Sequence, residues 1–237
     1  MVIGSKSYKT GLSIFKNKLF WSLFILILVH AAGAIGMAFY DTKLFSAMTP
    51  YNLMLMFILL IWNEELKNRR FLSAFLIAFY VGLFAELIGV NTQILFGNYS
   101  YGTVLGLKFI GVPILIGVNW FIIVFSAHQL AGYLLKKYSF NRHNSKSNSS
   151  AFITQALLAA LFAVLFDWLM EPVALKLGFW FWKDNMIPFF NYTCWFIFSL
   201  LISLSFYLLA IKETNRFAPF LFLVQSAFFI FLRVYLK

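Results

Sequence analysis

Charge is scarce in this chain. Only 11% of its 237 residues are Asp, Glu, Lys or Arg, against about 25% in a soluble domain. Cysteine is almost absent: Cys194 stands alone, which excludes an internal disulfide and any site built on several thiolates. The three histidines, His30, His128 and His143, have no metal-ligand spacing. No Gly-rich phosphate loop or GxGxxG is present. No Asp-rich cluster could hold a magnesium diphosphate, which argues against prenyl transfer. The last apolar run, 217–235, contains no lysine, so a retinal Schiff base has no place to form.

Apolar residues are what the chain has in excess, at 62% hydrophobic and 21% aromatic. One core cannot bury that much, so lipid is the solvent. Seven apolar runs stand at about 19–40, 51–63, 71–90, 110–135, 152–171, 190–211 and 217–235. A helix needs roughly 20 residues to cross a bilayer, so the second run must borrow from its flanks. The fold expected is all-α, a single transmembrane bundle of about seven helices over residues 1–237. The net charge of +11 does not indicate nucleic acid, because the basic residues sit at span ends. Thirteen of the nineteen Lys and Arg fall on the side of the N-terminus. Positive charge marks the cytoplasmic side, so an N-terminus inside, a C-terminus outside and residence in the cytoplasmic membrane are expected. Residues 137–150, ending in the Ser/Asn-rich NRHNSKSNSS, read as a flexible cytoplasmic linker. Glu64 and Glu65, beside Lys67, Arg69 and Arg70, read as solvated.

The linker divides two similar stretches. Eleven residues separate Glu86 from Gly97, and eleven separate Asp167 from Gly178. Gly97-x-Tyr99-x-Tyr101 matches Gly178-x-Trp180-x-Trp182, and Pro113 precedes Trp120 by the same seven residues that separate Pro188 from Trp195. The third and fourth spans and the fifth and sixth are therefore expected to be two copies of one hairpin, inserted in parallel.

Three carboxyls lie within apolar runs: Glu86, Asp167 and Glu171. Intramembrane acids face the bundle interior or a cavity. Asp167 and Glu171, four apart, share a helix face. Burial and neighbouring like charge both raise a carboxyl pKa, so at least one of the three is expected to stay protonated near neutral pH, and a neutral acid in an apolar pocket is a proton donor. Tyr99, Tyr101, Trp120 and Trp195 offer π-faces that stabilise a cation. Trp180 and Trp182 fit that role and an interfacial belt equally. Asn91, Thr92, Asn119 and Asn191 lie near the same level and suit either water binding or helix capping.

At these residues the sequence resembles the carotenoid biosynthesis membrane proteins that include carotenoid 1,2-hydratases of the bisanhydrobacterioruberin hydratase kind. The first family motif appears as Glu86, Gly89, Thr92, Phe96, Gly97, Tyr99 and Tyr101, then Gly111-Val112-Pro113 and Trp120. The second appears as Asp167, Glu171-Pro172, Gly178, Trp180 and Trp182, then Ile187-Pro188, Asn191 and Trp195. Gln93, Glu171 and Met186 depart from the family's Gly, Asp and Gly. The resemblance implies addition of water across the terminal C1–C2 double bond of an acyclic carotenoid end group. The substrate is then an acyclic or monocyclic polyene, with no metal or redox cofactor, and other enzymes of the pathway are natural neighbours. Asp167 or Glu86 would give the proton and Glu171 would tune it or place water. Tyr99, Tyr101, Trp120 and Trp195 would line the cation pocket with Trp180 and Trp182, and Asn191 and Thr92 would hold water. A carotenoid cyclase, or a carrier that binds carotenoid or lipid without chemistry, fits the same residues.

Overall fold

The computed structural model describes residues 5–64, 69–139, 148–211 and 215–236. Helices dominate: α1 (Ser5–Phe39), α2 (Thr42–Ala47), α3 (Thr49–Trp62), α4 (Arg69–Thr92), α5 (Leu115–Ser139), α6 (Asn148–Lys176), α7 (Phe189–Leu208) and α8 (Phe217–Tyr235). All but α2 and α3 are long and apolar enough to cross a membrane, six in number among the described residues. The chain is therefore an all-α, multi-pass membrane protein. The second apolar run forms the 14-residue α3, about 21 Å long against a hydrocarbon core of about 30 Å. Asp41 caps α2 by accepting the Leu44 N–H at 2.9 Å, and Met48 separates α2 from α3.

Of the expected linker, 137–139 continue α5 and 148–150 begin α6; 140–147, like Glu65, lie outside the described residues. Glu64 is not solvated. It is buried and accepts the Asn215 amide at 3.1 Å, while Asn215 Oδ1 caps α8 through the N–H groups of Phe217 and Ala218. A short polar contact thus ties the end of α3 to the start of α8.

α5 is the axis of the bundle. Its membrane window is 89% buried, against 33–44% for the other five, and α3, α4, α6, α7 and α8 all pack on it. The cause is in its sequence: Ser126, His128 and Gln129 would face lipid on a peripheral helix, and all three are buried. His128 Nδ1 lies 2.7 Å from Ser203 Oγ of α7, and Gln155 Nε2 of α6 donates to the His128 carbonyl at 3.1 Å.

α8 is pinned to α6 at a backbone carbonyl that a proline in α6 leaves without its helical partner. Pro172 lies inside α6 and has no N–H for the Trp168 carbonyl one turn back. Arg233 of α8 donates to that carbonyl at 3.1 Å and lies over the Trp168 ring at 4.1 Å, a cation–π contact.

Candidate active site

One end of the bundle is closed by two short strands, β1 (Tyr99–Tyr101) and β4 (Trp180–Trp182), paired antiparallel. Between them in sequence, β2 (Lys108–Phe109) and β3 (Val112–Pro113) make a hairpin around Ile110 and Gly111, both at positive φ, as a two-residue turn requires. Side chains alternate along a strand. Tyr99 and Tyr101 are therefore buried with Ser100 outside, and Trp180 and Trp182 are buried with Phe181 outside. An interfacial belt does not describe these aromatics: they hang from a lid into the bundle.

The pairing has the register of a two-fold axis. Ser100 faces its repeat counterpart Phe181, Tyr99 faces Trp182 and Tyr101 faces Trp180. The flanking bonds are exchanged in the same way, Gly102 N–H to Phe179 O and Lys183 N–H to Asn98 O, each at 2.9 Å. Equivalent patches meet reciprocally, as in an isologous dimer contact. Deeper in the bundle, the counterparts Trp120 and Trp195 stack with centroids 3.9 Å apart and planes 10° apart. Close approach at the lid depends on Gly102, where a Cβ would lie 2.0 Å from the Gly178 carbonyl oxygen.

Each lid strand holds one carboxyl. Glu86 Oε2 accepts the hydroxyls of Tyr99 at 2.5 Å and Tyr101 at 2.8 Å, and Oε1 accepts Trp120 Nε1–H at 3.0 Å. Glu171 Oε2 accepts the indole N–H of Trp180 at 3.0 Å and Trp182 at 2.7 Å, and Oε1 accepts Asn191 Nδ2–H at 3.2 Å. Asn191 also donates to Asp167 Oδ2 at 2.7 Å. All three acids are buried. Burial, and then the neighbouring Glu86 carboxyl, push the Tyr99 and Tyr101 phenols far above the ordinary tyrosine value, so both stay donors.

Sequence spacing pairs Glu86 with Asp167, yet the strand anchor of the second half is Glu171. The reason is side-chain shape. A phenol carries its donor at the far tip of the ring, whereas an indole N–H sits nearer the backbone. The acceptor for tryptophans must therefore stand one turn, roughly 6 Å, closer to the lid. Asp167 is thereby released from that duty.

These groups enclose a small chamber of about 20 Å³, lined by all three acids together with Tyr99, Tyr101, Trp120, Trp180, Trp182, Asn191 and Trp195. Of the expected site residues only Thr92 stands apart. It is exposed at the end of α4, its hydroxyl bonded to the Ile88 carbonyl at 2.6 Å, and it does not line the chamber. The chamber adjoins an apolar cavity of about 290 Å³ bounded by α1, α3, α5, α6 and α8. Ile116, Asn119, Met170 and Trp180 line both and form the junction. Leu28, Ala32 and Met48, all exposed, line the far side and open the cavity toward lipid.

A model of the family described as "Carotenoid biosynthesis protein" matches residues 45–236. The chain belongs to the carotenoid biosynthesis protein family. Among curated proteins, it is 30% identical over 145 residues to bisanhydrobacterioruberin hydratase of Haloarcula japonica, a match covering 57% of this chain and 46% of that relative. The chain thus aligns with less than half of that protein's length. No solved structure matches. The family match takes in the lid, the three acids and α8, while α1, which walls one side of the cavity, precedes it.

Asn119 is a junction residue that the sequence reading did not set apart from other outer asparagines. Its signal was present, a carboxamide directly before Trp120 in an apolar run. His30 and Gln225, which also line the cavity, lie outside the repeat and had no such signal. Among the described residues no group of three His, Cys, Asp or Glu could hold a metal.

Proposed function

We propose that this member of the carotenoid biosynthesis family is a hydratase that adds water to the terminal C1–C2 double bond of an acyclic carotenoid end group. One observation carries the reading: three intramembrane carboxyls meet at the closed end of an apolar cavity that opens to lipid. The cavity, about 290 Å³, offers room for an end group, with the remaining polyene left in the bilayer.

Protonation of C2 by a chamber carboxyl leaves a tertiary cation at C1. Trp180 at the junction, with Phe166 and Phe179 beside it in the cavity, offers aromatic faces. Desolvated, such a contact is worth about 2 kcal/mol or more. Water captures the cation and gives up a proton, so the sum is one water added with no change in oxidation state. The name of the Haloarcula japonica relative supports the reaction class. The Lys and Arg bias supports a cytoplasmic N-terminus and a lid on the outer side.

The test is expression in a host that accumulates lycopene or γ-carotene. A product heavier by one water is expected. A product of unchanged mass, cyclised or isomerised, would overturn the hydratase reading.

A further inference from the structure

The three carboxyls are not equivalent, and their hydrogen bonds distinguish them. An ionised carboxyl only accepts, whereas a neutral one must place an O–H. Glu171 faces two indole N–H groups and an amide N–H; an indole donates and never accepts. A proton on Glu171 Oε2 would point at two donors. Glu86 faces the Trp120 indole on one oxygen and two phenols on the other. Each of these three has its donor spent on Glu86. Both glutamates are thus built to be held as anions.

Asp167 differs. Its Oδ2 accepts the Asn191 amide, while Oδ1 is buried without a partner in the protein. It borders a chamber of about 20 Å³, and a water needs about 10–15 Å³. Asn119 lines the same chamber and stands at its junction with the apolar cavity.

We propose that Asp167 carries the transferable proton on Oδ1, with Glu86 and Glu171 as fixed anions, and that the attacking water sits between Asp167 Oδ1 and the Asn119 carboxamide. The water placement rests on the hydratase reading; the proton placement does not. In the reaction the Asp167 O–H bond breaks and the alkene electron pair forms the C2–H bond. The water oxygen then bonds C1, and its surplus proton returns to the Asp167 carboxylate. Asp167 ends as it began, and one water has been added. Negative charge on the two glutamates opposes loss of the Asp167 proton at rest and favours the C1 cation once formed.

The experiment combines infrared spectroscopy of the purified protein in lipid with product analysis. Wild type at neutral pH is expected to show the C=O stretch of a neutral carboxylic acid. Asp167→Asn should abolish that band and lower hydration at least hundredfold, the usual scale for a general acid. Asp167→Glu should restore the band, and Glu171→Gln should keep it. Asn119→Leu should keep the band and still consume polyene, but shift product from the hydrated to the mass-unchanged form.

A band that survives Asp167→Asn, or hydration within tenfold of wild type in that variant, overturns the proton assignment. An unchanged product ratio in Asn119→Leu overturns the water placement. If wild type hydrates no polyene yet the band follows Asp167, the hydratase reading and the water placement fall while the proton assignment stands.

Discussion

The acid chamber is assembled from donors matched to acceptors one atom at a time. Hydrogen bonds to a charged group contribute about 1.5–3 kcal/mol each. Tyr101→Phe removes one of the three donors on Glu86 and leaves the ring in place. It is expected to lower stability by about that amount, read as a shift in the thermal midpoint in detergent. The phenols also predict a response to alkali. Tyr99 and Tyr101 ionise far above the ordinary value in the folded chain but at about 10 when unfolded. Above that pH the unfolded state releases protons that the native state retains, so their contribution is complete below pH ~10 and falls as pH rises beyond it. Thermal melts should drop over that range while the native spectrum gains less phenolate absorbance than eleven free tyrosines would give. A double Tyr99→Phe, Tyr101→Phe variant should show the shallower drop. At this scale the sequence displayed the acids but not their partners. A carboxyl within an apolar run is visible in one dimension. Which indole reaches it depends on where in the ring the N–H sits.

Among the elements, the lid was the least legible. Tyr99–Tyr101 and Trp180–Trp182 are strands of three residues, too short for alternation to stand out among so many aromatics. Their matching positions in two hairpins were readable all the same. The repeat survives in spacing because each hairpin meets its counterpart across the same axis, so that a shift in one would strand the other. α3 was foreseen as an apolar run but not as a short helix beside α2. The burial of Glu64 was missed because its partner, Asn215, lies over 150 residues away. The strand pairing yields a sharp expectation. Gly102→Ala places a methyl 2.0 Å from the Gly178 carbonyl oxygen, in the backbone just before the other strand, a clash that no rotamer change relieves. The lid should fail to pair, and the variant should lose protease resistance at 98–106 and carotenoid conversion together. Alanine at Gly106, whose Cβ meets nothing within 4 Å, should be far milder, limited to the strain of its positive φ.

For the whole molecule, composition alone named the solvent, and the apolar runs located the six long helices among the described residues, α8 to its ends, while α1 begins fourteen residues before its run. The apolar cavity was not readable. Its walls combine the duplicated hairpins with α1, α3 and α8, which have no counterparts in the repeat and present ordinary apolar faces. On the hydratase reading proposed above, that division separates chemistry from access. Ala32 lies on the lipid-facing rim of the cavity, remote from the acids. Ala32→Trp should raise the polyene concentration needed for half-maximal turnover severalfold, with a thermal midpoint near that of wild type.

The reciprocal lid has one more consequence. A contact whose two sides are equivalent does not require that they share a chain. The segments 1–139 and 148–237 each carry one lid strand, one stacking tryptophan and at least one acid. Produced as separate polypeptides in one membrane, they should find each other, co-purify and recover carotenoid conversion, while neither converts polyene alone. The protein would then behave as a heterodimer that happens to be joined, and the two seats of that dimer could be mutated, labelled or exchanged independently.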